Sequence, residues 1–309
     1  MIRLLALPVV VVLAGCSSPV PQPPPPAPPP SAPSAPNGAV GSQALSYMLA
    51  PVASRALCGA LPPERLQQAL GASTIKVTPD PTGLVASCAL SASELYVDIR
   101  LELDQGFEPT ETIAGKPVQA LPSSGRITAF DVAIAESVGP AWPDSTQTPI
   151  LRVGGTGEKV AAPAIRRLIE ELVPALAKPA DSLPAISPDG TVAFTPVPFT
   201  AAGLFDLPTP VQGLRLCSLM KEKFGHEVIG VKAAGDCTVR LPNGTSMDVA
   251  LAAFTLGVEY DGPKVAGRPA SSDEDMFRVR LSDVVQVDLK VAPGNRDVAE
   301  RLVPLLLQG

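Results

Sequence analysis

One histidine and five cysteines bound the chemistry open to this chain. A Ser-His-Asp relay would have to use His226, and no Gly-x-Ser-x-Gly elbow accompanies it. His226 stands in Phe224-Gly225-His226-Glu227, a sequence suited to a helix end, so a surface or capping role is expected. Gly154-Gly155-Thr156-Gly157-Glu158-Lys159 has the residue types of a phosphate loop without its Gly-x-x-x-x-Gly-Lys-Ser/Thr spacing. It reads as a turn before a helix. Asp273-Glu274-Asp275 lacks the alternating ligands and glycine of a calcium loop and reads as an exposed acidic turn. Asp98, Arg100 and Glu102 share one strand face, which either lines a polar cleft or faces water. Trp142 stands in a proline-rich insertion, where an indole serves as a binding platform or anchors its own loop. Lys116 and Arg268 are the remaining candidates for a ligand contact, each following the glycine of a repeated turn. Zinc would want close-spaced cysteine pairs with histidine, and neither spacing is present. No catalytic constellation, cofactor motif or metal site is read here, and a non-enzymatic protein is expected.

The elements that must hold these residues come as an echo. Ala114-Gly115-Lys116-Pro117 returns as Ala266-Gly267-Arg268-Pro269 at an offset of 152, and Leu95, Val97, Ile99 return as Met247, Val249, Leu251 at that same offset. Leu57-Cys58 matches Leu216-Cys217, with a glycine thirteen positions on in each case, Gly71 and Gly230. Glu171-Leu172-Val173-Pro174 becomes Arg301-Leu302-Val303-Pro304. A proline inside a helix costs about 3 kcal/mol, so its return at one phase favours duplication. The clearest strand runs Leu95 to Leu103, alternating apolar and polar residues. Ile165, Leu168, Ile169, Leu172, Val173 and Leu176 form an apolar helical stripe that must lie on a sheet. A short helix is expected over Pro62 to Leu70, with Gly71 as its cap. The fold class is therefore α+β, in two similar domains. Each is a mostly antiparallel sheet of about four to five strands with helices packed on one face. The copies span 44–178 and 211–309, joined by a connector, 179–210. Val192, Phe194, Val197, Phe199, Leu204 and Phe205 make that connector too apolar to hang in water, so it should pack along the interface.

Ahead of the copies, Arg3 precedes an apolar run from Leu4 to Leu13, too short for the roughly 20 residues of a membrane span. The run ends in Leu13-Ala14-Gly15-Cys16, which resembles the bacterial lipobox. A signal peptide over 1–15 is expected, with the Cys16 thiol taking the lipid. Acyl chains, palmitate among them, contribute about 0.8 kcal/mol per buried methylene. Residues 16–43 are then the lipidated N-terminus and a linker. Eleven prolines in the eighteen residues Pro19 to Pro36 make a polyproline II stalk about 55 Å long if fully extended. The expected address is the extracytoplasmic face of the cell membrane. The formal charge of −6 argues against nucleic acid as a partner, since phosphate binding wants a basic excess.

With Cys16 acylated, four cysteines remain, and an exported chain meets oxidising conditions. Four allow three pairings. The duplication favours Cys58–Cys88 and Cys217–Cys237, one bridge inside each copy.

Taken together, the lipobox to Cys16, Leu57-Cys58 through Gly71 to Cys88, and Ala-Gly-Lys/Arg-Pro in each copy make the chain similar to a class of actinobacterial lipid-anchored envelope lipoproteins. These are built on a two-cysteine α+β domain of unknown function, here in tandem. Leu90 and Val239 stand where that family often has an aromatic residue after the second cysteine. The resemblance implies a secreted scaffold and carries no active site. The expected function is binding of an envelope protein partner or wall component. The alternative is a carrier of an apolar ligand, a lipid or glycolipid, which aliphatic sheets permit.

Overall fold

The computed structural model describes residues 42–308, less 81–84, 123–126, 136–147, 157–160, 177–182, 188, 254–257, 275 and 283–286. They belong to one compact unit. The fold is α+β, with two antiparallel sheets. The first half runs α1 (Ser42–Leu45), α2 (Ala50–Cys58), α3 (Pro63–Leu70), β1 (Lys76–Pro79), β2 (Ala86–Ala92), β3 (Leu95–Asp104), β4 (Glu111–Ile113), β5 (Lys116–Ala120), β6 (Ile127–Ala133), β7 (Thr148–Thr156) and α4 (Ala162–Leu176). The second half runs β8 (Thr191–Val192), a 3-10 turn (Leu204–Asp206), α5 (Thr209–Phe224), β9 (Glu227–Lys232), β10 (Cys237–Arg240), β11 (Ser246–Ala253), β12 (Gly262–Val265), β13 (Arg268–Ser272), β14 (Phe277–Ser282), β15 (Val287–Val291) and α6 (Arg296–Leu306).

The strands lie in the order β1-β2-β3-β7-β6-β5-β4 in one sheet and β8-β9-β10-β11-β15-β14-β13-β12 in the other. With β8 set aside, the two orders are the same. Seven and eight strands replace the expected four to five, because β4, β5, β8 and β12 hold only two to five residues each and show too little alternation to announce themselves.

One face of each sheet is packed. Leu95, Val97 and Ile99 of β3 are buried, and Tyr96 between them and Arg100 after them are exposed. The apolar stripe of α4 closes that face, with Ile165, Leu168, Ile169, Leu172, Val173 and Leu176 at most 4% exposed. Each such aliphatic side chain contributes roughly 1.5–3 kcal/mol by leaving water. In the second sheet, Met247, Val249 and Leu251 of β11 meet Val298, Leu302, Val303 and Leu306 of α6 in one cluster. Pro174 and Pro304 lie in the last turn of α4 and α6 and are exposed. There the ring interrupts little of the ladder that remains.

The first helices of the copies differ. In the first half α2 and α3 share the task, and Gly71 ends α3 in the left-handed region (φ 67°). In the second half the single helix α5 runs on past Cys217, and its left-handed cap is Gly225 (φ 70°). Gly230 instead lies inside β9, so its spacing from Cys217 does not mirror that of Gly71 from Cys58. Gly213 of α5 is pressed against the sheet: a Cβ there would stand 2.9 Å from Val231 Cγ1 and 3.1 Å from the Gly235 carbonyl. Cys58–Cys88 ties α2 to β2, and Cys217–Cys237 ties α5 to β10, with Cα–Cα separations of 5.2 and 5.3 Å.

The connector does more than follow an interface. Val192, Phe194, Val197, Phe199, Leu204 and Phe205 join the second core. Ser218 Oγ of α5 accepts the Val197 N–H at 2.9 Å, and Gln212 Nε2 donates to the carbonyls of Phe205 and Leu207. Polar residues on α5 are thus buried because the connector covers its second side. Toward the first half it offers one ion pair, Arg55 Nη2 to Asp206 Oδ1 at 3.1 Å, and Thr209 N–H donates to the Tyr47 carbonyl at 2.7 Å.

The echoed turns are two-residue hairpins, β4 to β5 and β12 to β13. Both central positions have positive φ, 50° and 77° at Ala114-Gly115, 47° and 80° at Ala266-Gly267. Alanine bears a steric cost there of roughly 1 kcal/mol that glycine does not. Ala266→Gly should therefore raise stability by about 1 kcal/mol in urea denaturation, and Ala266→Val should lower it. Loops of 30 and 20 residues make each bridge worth about 3–4 kcal/mol by chain entropy. Cys217→Ala with Cys237→Ala should lower the urea midpoint to match, and reductant should lower it further through Cys58–Cys88, the bridge that remains.

Candidate functional site

Helices pack on one face of each sheet, and the other face carries charged side chains together with apolar ones such as Ala133 and Ile150. On the first sheet, Arg100, Arg152 and Asp131 are register partners across β3, β7 and β6. Arg152 Nε and Nη2 each donate to Asp131 at 2.8 Å, and its Nη1 lies 2.6 Å from Glu102. Those bonds to Asp131 hold the Arg152 guanidinium above its ordinary value. Arg100 Nε donates to Asp98. The sequence-read trio Asp98, Arg100 and Glu102 is thus brought together, as part of a paired ladder. Beside it Gly154 and Ala129 leave a low strip across β7 and β6, bounded on β3 by Asp98, next to Tyr96, which is 45% exposed.

The second sheet uses the same place differently. Val153 of β7 and Leu289 of β15 correspond, each being the partner of an inward residue of the long strand, Ile99 or Leu251. One residue earlier, Arg152 faces Asp131, whereas Asp288 faces Arg280. The signs are exchanged. Lys290 and Arg278 are the next pair of partners on that face. Asp288 is fully buried, and Tyr260, from the segment before β12, donates its hydroxyl to Asp288 Oδ2. The Arg280 guanidinium stacks 4.1 Å above the Tyr260 ring.

Burial raises the Asp288 carboxyl above its ordinary value, against the pull of the Tyr260 hydroxyl and the Arg280, Lys290 and Arg278 charges. Burial, then the bond to Asp288, pushes the Tyr260 phenol up to about 12. Burial and the neighbouring Arg278 charge hold the Lys290 ammonium down. These five residues escaped the sequence reading. Arg278, Arg280, Asp288 and Lys290 alternate with apolar residues along two strands, as any solvated sheet face would, and only the register puts them side by side.

The other candidates lie apart. Lys116 and Arg268 open β5 and β13 and share the parity of inward Val118 and Ala270, which turns them from the charged outer faces. His226 follows the cap of α5, and its ring stacks on Phe224 at a centroid distance of 6.1 Å. Asp273 Oδ1 accepts the Met276 N–H at 2.7 Å, which gives the acidic stretch a turn-forming role; Asp275 lies outside the described residues. Cys16, Trp142 and the Gly157-Glu158-Lys159 end of the glycine-rich stretch also lie outside them. Among the described residues no group of three or more His, Cys, Asp or Glu could hold a metal ion. None of their helices is long and apolar enough to cross a membrane. A cleft of about 250 Å³ between the end of α3 and the β2–β3 hairpin is lined mostly by small and polar residues, Gly71, Ser73, Thr74, Ser93 and Glu94 among them.

Comparison of the chain with protein-family models, with curated proteins and with solved structures gave no match.

A carboxyl with a raised value favours folding in its neutral form, so its contribution to stability falls as pH rises from the ordinary value of 3.8 through the raised one. Asp288→Asn should accordingly match the wild type in thermal denaturation below about pH 4 and exceed it increasingly above. A variant less stable than wild type at pH 7 would show that Asp288 is held there by net attraction.

Proposed function

We propose that this chain is a non-enzymatic envelope lipoprotein, held at the outer face of the cytoplasmic membrane by acyl chains on Cys16. It binds an envelope protein or wall component. The observation that carries the binding reading is the outer face of each sheet, crossed among the described residues by charged side chains whose signs differ between the two halves. A sheet needed only for its core has no use for buried outer charges such as Asp131 and Asp288. The carrier reading has less support, because aliphatic side chains at 0–2% exposure fill the centres of both helix–sheet cores. We further read the shared strand order as the product of duplication, with 44–178 and 211–309 as the two copies.

Two measurements test this. Cys16→Ser should abolish incorporation of labelled palmitate and shift the protein from the membrane to the soluble fraction; unchanged retention would remove the lipid anchor. Full-length protein should sediment with insoluble wall material more than an unrelated exported protein of like charge. Equal sedimentation would remove the wall as its target.

A further inference from the structure

The cleft of about 250 Å³ beside α3 has walls of two origins. Gly71, in the left-handed region, ends α3 and turns the chain into Ala72, Ser73 and Thr74. The tight end of the β2–β3 hairpin supplies Ala92, Ser93 and Glu94. Five residues separate α3 from β1, whereas only Gly225 and His226 separate α5 from β9. The longer connection builds a wall for which the second half has no chain to spare.

The polar groups of this cleft are open to a ligand. Ser73, Thr74, Ser93 and Glu94 are all exposed. The three hydroxyls make no hydrogen bond within the described residues. Among those residues no Lys, Arg or His lines the cleft, so its charge has one sign. Glu94 carries part of it. The C-terminal end of α3 adds roughly half a negative charge from its last carbonyls. Arg167 of α4 donates to one of them, Ala69, from outside the lining and offsets part of that charge.

An anion is repelled here, and an ammonium is attracted. A carboxylate has about four acceptor sites, so Glu94 can take an ammonium beside any bond it already makes. Such charge-assisted bonds are roughly twice as strong as neutral ones. Hydroxyls both donate and accept, which suits them to a ligand that carries hydroxyls of its own. Ala72 and Ala92 leave a small apolar surface for the C–H bonds of a ring. The volume falls just below the roughly 300–1,000 Å³ of drug-sized sites, which leaves room for a single sugar ring.

We propose that the cleft between the end of α3 and the β2–β3 hairpin binds an amino sugar with a free amine, its ammonium on Glu94 and its ring hydroxyls on Ser73, Thr74 and Ser93. This site stands apart from the outer sheet faces and does not depend on the wall-binding reading above.

The test is calorimetric titration of the full-length protein with glucosamine, glucose, ethanolamine and glucose 6-phosphate. Glucosamine should bind saturably. Glucose, which lacks the ammonium, and ethanolamine, which lacks the ring, should each bind at least tenfold more weakly, and glucose 6-phosphate should not bind. Raising salt from about 0.05 to 0.5 M should weaken glucosamine binding, since an exposed ion pair is screened. Glu94→Gln should lose at least tenfold in affinity for glucosamine with its melting temperature unchanged. Ser73→Ala with Ser93→Ala should bring glucosamine down toward ethanolamine. Glu222→Gln, at an exposed carboxylate of α5, should change nothing. A glucosamine trimer separates two sources of the same chemistry: binding as tight as the monomer's marks a unit of a glycan chain, and exclusion marks the free sugar. Absence of saturable glucosamine binding, equal binding of glucose or ethanolamine, or affinity unchanged in Glu94→Gln overturns the site. If the protein sediments with wall material but binds no glucosamine, this inference fails and the wall-binding reading stands. Glucosamine binding without sedimentation gives the reverse.

Discussion

The structure depends on register at one strand of each sheet. β3 and β11 present aliphatic residues at every second position, and a slip of one residue would turn all of them to water. With that slip forbidden, the helices have only one face on which to bury α4 and α6. The charged residues have only the other. The two bridges then fix the first helix of each copy against the strand next to the long one. Placement of Arg152, Asp131, Asp288 and Lys290 follows from that single alternation, with no contact needed from the helices.

What could be read in advance follows the strength of periodicity. The stripe Ile165 to Leu176 and the alternation Leu95 to Leu103 each repeat over three or more periods, and both became α4 and β3 nearly residue for residue. The cysteine pairs followed from matching the copies. Short strands stayed hidden: β4 has three residues and takes its pairing from the hairpin, while β8 takes its pairing from the edge of β9. Helix α5 was obscured for a different reason. Its burial on two sides, by sheet and connector, erases the amphipathic pattern that marks a surface helix. The Gly71 and Gly230 match misled because equal spacing in sequence fell on a cap in one copy and a strand in the other.

The outer-face cluster could not be found by spacing at all. Tyr260 and Asp288 are 28 residues apart, and Arg280 meets Asp288 only through the pairing of β14 with β15. Copying a domain preserves the backbone crossings and leaves the outer positions free to change, since they are not committed to the core. On the reading of the two halves as copies, the exchanged signs at Asp131–Arg152 and Arg280–Asp288 fall at positions with that freedom. One copy settled its charges internally with a bidentate pair; the other kept groups whose needs are met incompletely within the described residues.

The strand order carries a consequence for how the chain folds. The long strand β3 ends at Asp104, but its neighbour β7 begins only at Thr148, and α4 comes later still. In a chain that emerges N-terminus first, the edge of β3 is exposed while more than forty further residues are made. An apolar strand with an open edge is an aggregation hazard during that wait. Cys58 and Cys88 both precede the gap, so their bridge can close early and hold α2 against β2, shielding one side of the unfinished sheet. The second copy meets the same delay between β11 and β15, with Cys217 and Cys237 again ahead of it.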